Sequence, residues 1–446
     1  MNLQTNEVVV IGAGLAGCEA ALQLACRGIK VKLIERKPET RSEASVSNGF
    51  AELVCSNSFR AKTPINAVGM LKEEMKSLGS FFMAAAIETE VPAGGALAVD
   101  RDRFSDWFTN RIQNHENIEV VCEELDSLDF DEKEIIIATG PLTGGKLAEE
   151  ITRLAGEKQL HFYDAIAPII DAESINLEIA FFQSRYDKGD GADYLNLPFD
   201  EEQYYTFVKE VVAAEKVQPR EFEKPKFFEG CLPIDIMAER GPKTLAFGPM
   251  KPVGLTDPRT GKRPYAVIQL RAENAEKTAY SLVGFQTRLT YPEQERIFRT
   301  IPGLEQADFL RLGSVHRNTF INSPELLDAQ LRLKSDPRIS FAGQISGVEG
   351  YVESAAGGLL AGLFTAARLK GVELQPLPEE CMIGGMRKYL LTEQDKFQPS
   401  NVTHAMLPAL KVRLRAKKDR KAAVSKRAEE ALKLWISGAE LELLKP

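Results

Sequence analysis

The chain has 446 residues, 44% hydrophobic and 27% charged, with a formal net charge of −8. That balance excludes a disordered or fibrous chain, and the length calls for two or more domains with ample core. The polar start from Met1 to Glu7 predicts no secretion signal. The longest small-apolar run, Ala355 to Ala367, is too short and glycine-rich to span a bilayer, so a cytoplasmic protein without a membrane partner is expected.

The first element is an apolar run, Val8 to Ile11, followed directly by Gly12-Ala13-Gly14-Leu15-Ala16-Gly17. In a dinucleotide-binding βαβ unit the first glycine permits the tight turn, the second lets backbone approach a pyrophosphate, and the third lets the helix pack closely. The pyrophosphate then sits on unpaired N–H groups at the positive end of the helix dipole. Helical periodicity from Leu15 to Arg27, a stop at Gly28, and a second strand from Lys30 to Ile34 complete the unit. Glu35 stands where a ribose hydroxyl needs an acceptor, with Arg36 beside it. The bare glycine spacing also fits an ordinary βα turn without a ligand; the strand, helix, second strand and acid in register favour the dinucleotide.

Further along, Glu134 to Ala138 reads as an isoleucine-rich strand ending in Thr139-Gly140-Pro141, where two-dinucleotide flavoproteins return the chain to the nucleotide. The stretch from about 165 to 325 differs: prolines recur between short aromatic strands, of which Tyr265 to Leu270 and Ala279 to Phe285 are two. Ile339 to Gln344 then predicts a short strand into a glycine turn at Gly343. Gly347, Gly350, Gly357 and Gly358 follow, and a small-residue helix runs to about Lys370. This junction offers more backbone N–H groups to an anion or ring edge. The expected architecture is α/β: a Rossmann-like FAD-binding domain of the glutathione-reductase type from residues 1–164 and 326–446, with a mixed α+β insertion domain at 165–325.

The tail from about 405 to 436 reads as helical, anchored by Leu410, Leu414, Leu432 and Trp435. Between Lys411 and Arg427 there are nine Lys or Arg and one acid, Asp419, a local charge of +8 that leaves −16 on the rest. Such a stripe either docks phosphates or is a solvated helix face.

Six scattered cysteines lack the close pairs of a zinc site, so no metal is expected. Cys18 and Cys26 fall on the first helix and read as small buried hydrophobes; Cys122 and Cys381 have no chemical context. Cys55 lies in the polar segment Asn48-Gly-Phe-Ala-Glu-Leu-Val-Cys-Ser-Asn-Ser58, and Cys231 in Phe228-Glu-Gly-Cys-Leu-Pro-Ile234. Composition alone favours an inert thiol over a catalytic one at both positions.

Together, Gly12 to Glu19, Phe50 to Arg60, Val91 to Ala96, Asp100-Arg101, Glu229 to Pro233 and Ala342 to Gly358 carry a resemblance that spans nearly the whole chain. The sequence resembles the folate- and FAD-dependent tRNA (uracil-5-)-methyltransferases and, more distantly, the GidA flavoproteins. The Cys-Ser-Asn-Ser and Glu-Gly-Cys-Leu-Pro segments mark the methyltransferase branch, and the chain length agrees with that branch. The resemblance implies methylation of a T-loop uridine of tRNA, with methylenetetrahydrofolate as carbon donor and FAD reduced by NAD(P)H. No obligate protein partner is implied. It assigns nucleophile and base to Cys55 and Cys231 in an undetermined order. The dinucleotide contacts fall to Gly12, Ala13, Gly14, Leu15, Ala16, Gly17, Glu35, Arg36, Thr139, Gly140, Gly343 and Gln344. Lys411, Arg413, Arg415, Lys417, Lys418, Arg420 and Lys421 become candidate phosphate contacts. The same chemistry on ribosomal RNA, a non-methylating NAD(P)H oxidoreductase and an RNA-binding flavoprotein remain as alternatives.

Overall fold

The computed structural model describes residues 7–42, 44–130, 133–155, 159–189, 191–217, 232–395, 397–412 and 414–438. Its first sheet has six strands in the spatial order 332–333, 336–341, 134–137, 7–11, 30–35, 118–122. All neighbours are parallel except the hairpin formed by the first two. Strand β1 (Glu7–Ile11) lies between β2 (Lys30–Glu35) and strand Glu134–Ile137, in the register Val9↔Lys32 and Val9↔Ile135. A parallel strand covered on both faces needs a continuous apolar run, and Val8, Val9 and Val10 are all fully buried. Both ends of the chain thus feed one sheet.

Helix α1 (Leu15–Ala25) is buried along its whole length, against the long helix Tyr351–Leu369. Glycine permits that crossing: a Cβ on Gly358 would sit 2.1 Å from the Ala16 carbonyl oxygen, and one on Gly362 2.8 Å from Gln23 Cβ. Gly358 and Gly362 therefore serve helix packing, Gly357 lies against the Gly343 backbone (3.0 Å from a Cβ to Gly343 N), and the junction's turn uses Gly343, Gly347 and Gly350, all at positive φ. Glu19, fully buried on α1, accepts hydrogen bonds from Phe81 N (3.1 Å), Phe82 N (2.6 Å) and Gln23 Nε2 (2.8 Å). It caps the helix Phe81–Glu88 from outside. Glu19→Ala leaves those amides unpaired and should cost about 3 kcal/mol in urea unfolding. Glu73→Ala, which removes only an exposed ion pair to Lys76, should cost below about 0.5 kcal/mol.

A second six-stranded sheet is entirely antiparallel, in the order 181–182, 194–199, 266–272, 279–282, 169–171, 309–311. It has its own apolar core from Ile170 to Ala307, while the first core draws on Val8 to Ala155 and Phe320 to Trp435. A two-stranded ribbon, 159–165 against 315–321, carries the chain out and back.

Several sequence expectations need correction. The tail is not helical from 405: after a single turn at His404–Met406 the backbone is extended at Leu407, and the helix runs Lys417–Gly438. Pro408 explains the break, since it cannot donate a helical bond and forces its predecessor out of the helical region. Leu432 and Trp435 do reach the core, but Leu410 and Leu414 are only half-buried. Cys26 caps α1 and is exposed, unlike buried Cys18. Among the described residues, no helix is long and apolar enough to cross a membrane.

Candidate active site

Gly12 (φ +97°) makes the turn out of β1 and donates from its N–H to Ile34 O at 2.7 Å. Gly17 lies directly beneath: a Cβ there would fall 1.8 Å from the Gly12 carbonyl oxygen. Gly14, the N-cap of α1, supplies no side-chain cap, and no acid occupies the first turn. A Cβ on Gly14 would meet no protein atom within 4 Å, so the positive end of α1 opens onto free space.

Around that opening the structure gathers Gly12, Ala13, Gly14, Leu15, Ala16, Glu35, Arg36, Thr139, Gly140, Gly343 and Gln344 along a cavity of about 190 Å³. Gly17 stays behind the loop. Glu35 is buried at the end of β2 and accepts from Ala13 N (2.7 Å) and Lys37 N (3.1 Å). Arg36 donates to Leu142 O at 3.4 Å. Thr139 is steadied by the Thr143 hydroxyl at 2.6 Å. Gln344 donates to Glu349 at 2.7 Å. Beyond Gly12 and Glu35 the cavity continues into a recess of about 60 Å³ at Glu123, Glu124 and Leu125. On the other side, across a wall of Val54, Pro141, Leu142, Gln344 and Tyr351 common to both, lies a chamber of about 310 Å³.

That chamber holds Cys55, half-buried, together with Arg60, Arg271, His316, Tyr351 and Asn401. The Cys55 segment is held on every side. Cys55 N and Ser56 N both donate to Tyr351 Oη, at 2.6 and 3.3 Å. Burial raises the Tyr351 hydroxyl pKa well above its usual range, which keeps it neutral. Arg271 donates to Asn57 Oδ1 (2.7 Å) and Ser56 Oγ (2.8 Å), and Arg311 to Val54 O (2.9 Å). Asn57 Nδ2 ties the segment to Val99 O and Ala272 O, both at 2.9 Å. Arg60, at a positive φ of 63°, pairs with buried Glu353.

Cys231 and Arg413 lie outside the described residues. Ile234, three residues after Cys231, donates from its N–H to Gln286 O at 2.8 Å, and Gln286 lines the Cys55 chamber. Cys18 is buried and turned to Ala13 O (3.1 Å); Cys381 is buried against Pro378 O (3.0 Å). Burial raises the pKa of both thiols far above the usual range, so neither is available as a thiolate. Lys411, Arg415, Lys418 and Arg420 are exposed and Lys421 partly so, while Lys417 opens the final helix. Asn401, in the chamber wall, is ten residues before Lys411.

A separate cavity of about 930 Å³ lies beside the second sheet near Phe247 and Tyr265 and contains none of the predicted site residues. Among the described residues no group of His, Cys, Asp and Glu has the arrangement of a metal site. Sequence reasoning missed Tyr351, Arg271 and Arg311. Each reaches the Cys55 segment from more than 200 residues away, so no local spacing could reveal them.

The family model described as "GIDA: Glucose inhibited division protein A" matches residues 7–373. A protein of Citrifermentans bemidjiense named methylenetetrahydrofolate–tRNA-(uracil-5-)-methyltransferase TrmFO is 59% identical over 433 residues, 97% of this chain and 99% of that one. The chain belongs to the GidA-related TrmFO family. A TrmFO relative from Geobacter sulfurreducens is 55% identical with the same coverage. Two crystal forms of Aquifex aeolicus GidA align with 98% of this TrmFO-family chain at TM-scores of 0.67 and 0.68. At 18–19% identity they establish the fold: Rossmann-like, with additional sheets. They cover 74–77% of the GidA chains.

Proposed function

We propose that this protein methylates carbon 5 of a tRNA uridine, taking the carbon from methylenetetrahydrofolate, and that Cys55 and Cys231 carry the chemistry on the uracil ring. One observation supports this above all: the chamber holding Cys55 adjoins the cavity of the glycine loop, the two sharing Val54, Pro141, Leu142, Gln344 and Tyr351 in their walls. A redox cofactor and a thiol would therefore lie side by side.

The glycine-loop cavity suits FAD. The first-turn amides of α1 face it without a cap or a competing acid, which fits a pyrophosphate. Glu35 keeps acceptor capacity for a ribose hydroxyl, since a carboxylate has about four lone-pair sites and two are occupied by amides. When bound and reduced by NAD(P)H, flavin supplies the two electrons that bring a carbon at the formaldehyde level to a methyl group.

The chain's residues prepare the uracil. Carbon 5 is a weak nucleophile; a thiolate adding to carbon 6 forms an S–C bond and makes carbon 5 an enolate carbon that attacks the one-carbon electrophile. A base then removes the carbon 5 proton, and expulsion of the thiolate restores the ring. Three residues after Cys231 the backbone is fastened to the chamber wall at Gln286, a span of at most about 10 Å. The resemblance to the methyltransferase branch is what supports sharing of the work between Cys231 and Cys55. We assign residues 1–164 and 326–446 to flavin binding and 165–325 to the insertion that brings the second thiol.

The target uridine, which we place in the T-loop, must leave its stack to enter the chamber. Asn401 leads from the chamber wall to the exposed cations Lys411, Arg415 and Lys418, which we propose as phosphate contacts. Reversing these three charges should lower the salt slope of tRNA binding by about 2 to 3; an unchanged slope removes them from the interface. We propose a cytoplasmic reaction, in keeping with a tRNA substrate and a folate carbon donor.

The reading is tested with tRNA carrying 5-fluorouridine, which cannot lose its carbon 5 substituent as a proton. It should form a covalent adduct that peptide mapping assigns to Cys55 or Cys231. No adduct in the presence of flavin, folate and NADPH would sink the proposed thiol chemistry.

A further inference from the structure

Arg271 is a buried cation that, among the described residues, donates its hydrogen bonds to neutral acceptors, with the Glu273 carboxylate acting on it only through space. On strand Ala266–Ala272 it is 8% exposed, and the acceptors it reaches are Asn57 Oδ1, Ser56 Oγ and, at 3.5 Å, Ser281 Oγ. Burying a guanidinium without an anion is costly, and the chamber offers few anions. Glu273, two residues along the strand, is engaged by Arg101 at 2.5 and 2.8 Å. Glu353 is engaged by Arg60. Glu52, on the Cys55 segment, is held by Lys37, Ser45 and the amides of Val46 and Ser47. Arg311 reaches only the carbonyls of Val54 and Ala44. Tyr351 is neutral, and His316 Nε2 is hydrogen-bonded to Ser314 Oγ at 2.8 Å. Glu349 accepts from Gln344. With Lys37, Arg60 and Arg101 matched by Glu52, Glu353 and Glu273, Arg271 and Arg311 stand, among the described residues, against the single carboxylate of Glu349, and Cys55 lies between Val54 and Ser56, the two residues these arginines hold.

We propose that Arg271 is a positioning residue for Cys55: it aligns the loop through Ser56 and Asn57, and it supplies the charge that holds Cys55 as a thiolate. This rests on the reading that Cys55 is a working thiol, and it adds how the insertion sheet governs that thiol. Seating of the sheet on the flavin-binding part places Arg271, and its withdrawal would leave Cys55 an ordinary, protonated thiol.

The test is the pH profile of iodoacetamide alkylation at Cys55 in flavin-loaded enzyme, followed by peptide mass spectrometry so that Cys26, Cys122 and Cys231 are counted separately. The wild-type midpoint should fall at least one unit below the ordinary thiol value of about 8.5. Arg271→Gln should raise that midpoint by one unit or more, while the Arg271→Lys protein, which keeps charge but not the fork, stays within about half a unit of wild type. A merely structural role would not separate the two variants by charge. A wild-type midpoint at or above 8.5 overturns the proposal whether or not the glutamine variant folds, and so does a glutamine variant with an unshifted midpoint. The assay contains no RNA or folate, so failure of the methylation reading and failure of this one are distinguished.

Discussion

Cys55→Ala enzyme, loaded with flavin, should form 5-methyluridine slower than wild type by on the order of 10⁴ or more, while keeping its flavin absorbance. The reason lies in the geometry. Cys55 stands in the chamber wall and contributes none of the hydrogen-bonding atoms of the glycine loop. Its backbone N–H, which anchors the segment to Tyr351, survives the substitution. Alanine therefore removes the thiol and leaves the scaffold. Cys231→Ala should show the same separation of methylation from flavin content. Nucleoside mass spectrometry of unmodified tRNA after incubation measures it, and retained turnover in either variant would strike that cysteine from the mechanism.

Gly17→Val should have the opposite signature, losing the cofactor first. A Cβ at position 17 would lie 1.8 Å from the Gly12 carbonyl oxygen, where real Cβ contacts stay above 3.0 Å. The obstacle is backbone at a turn with φ +97°, so it cannot swing aside as a side chain would. Either α1 or the loop must move by more than 1 Å. Overpacking of this kind costs about 3 kcal/mol, and if it falls on the bound state, flavin affinity drops by about 100-fold. Flavin titration by fluorescence quenching measures it. The comparison is Gly28→Ala, whose Cβ meets nothing within 4 Å but sits at φ +77°. That variant should lose stability and keep its flavin affinity.

These two variants show which parts of the molecule were legible in the sequence. The glycine loop is local: a strand, a turn and a helix within thirty residues, each with its own residue signal. Its cavity contains the predicted contacts except Gly17, whose part is packing. The return strands were legible because buried parallel strands need unbroken apolar runs. The chamber around Cys55 was not. Its wall comes from the second sheet, the ribbon and the head of the helix Tyr351–Leu369, and nothing at Arg271 or Arg311 distinguishes those arginines from surface ones until the fold is known. The tail misled for a similar reason. Its helical periodicity was real from Lys417 onward, but one proline at 408 outweighed ten residues of propensity. The glycines of the long helix misled differently: they suit an anion site and a close helix crossing equally well, and only the 2.1 Å clearance to Ala16 decides between them.

Adjoining cavities are proposed to bring a reduced flavin to a thiol that activates uracil for methylation. The most direct measurement incubates purified, flavin-loaded protein with unmodified tRNA, methylenetetrahydrofolate carrying a ¹³C methylene, and NADPH, followed by nucleoside mass spectrometry. 5-Methyluridine should form with the heavy carbon in its methyl group, dependent on both folate and NADPH. NADPH oxidation without 5-methyluridine, or a methyl group lacking the label, would contradict that proposal.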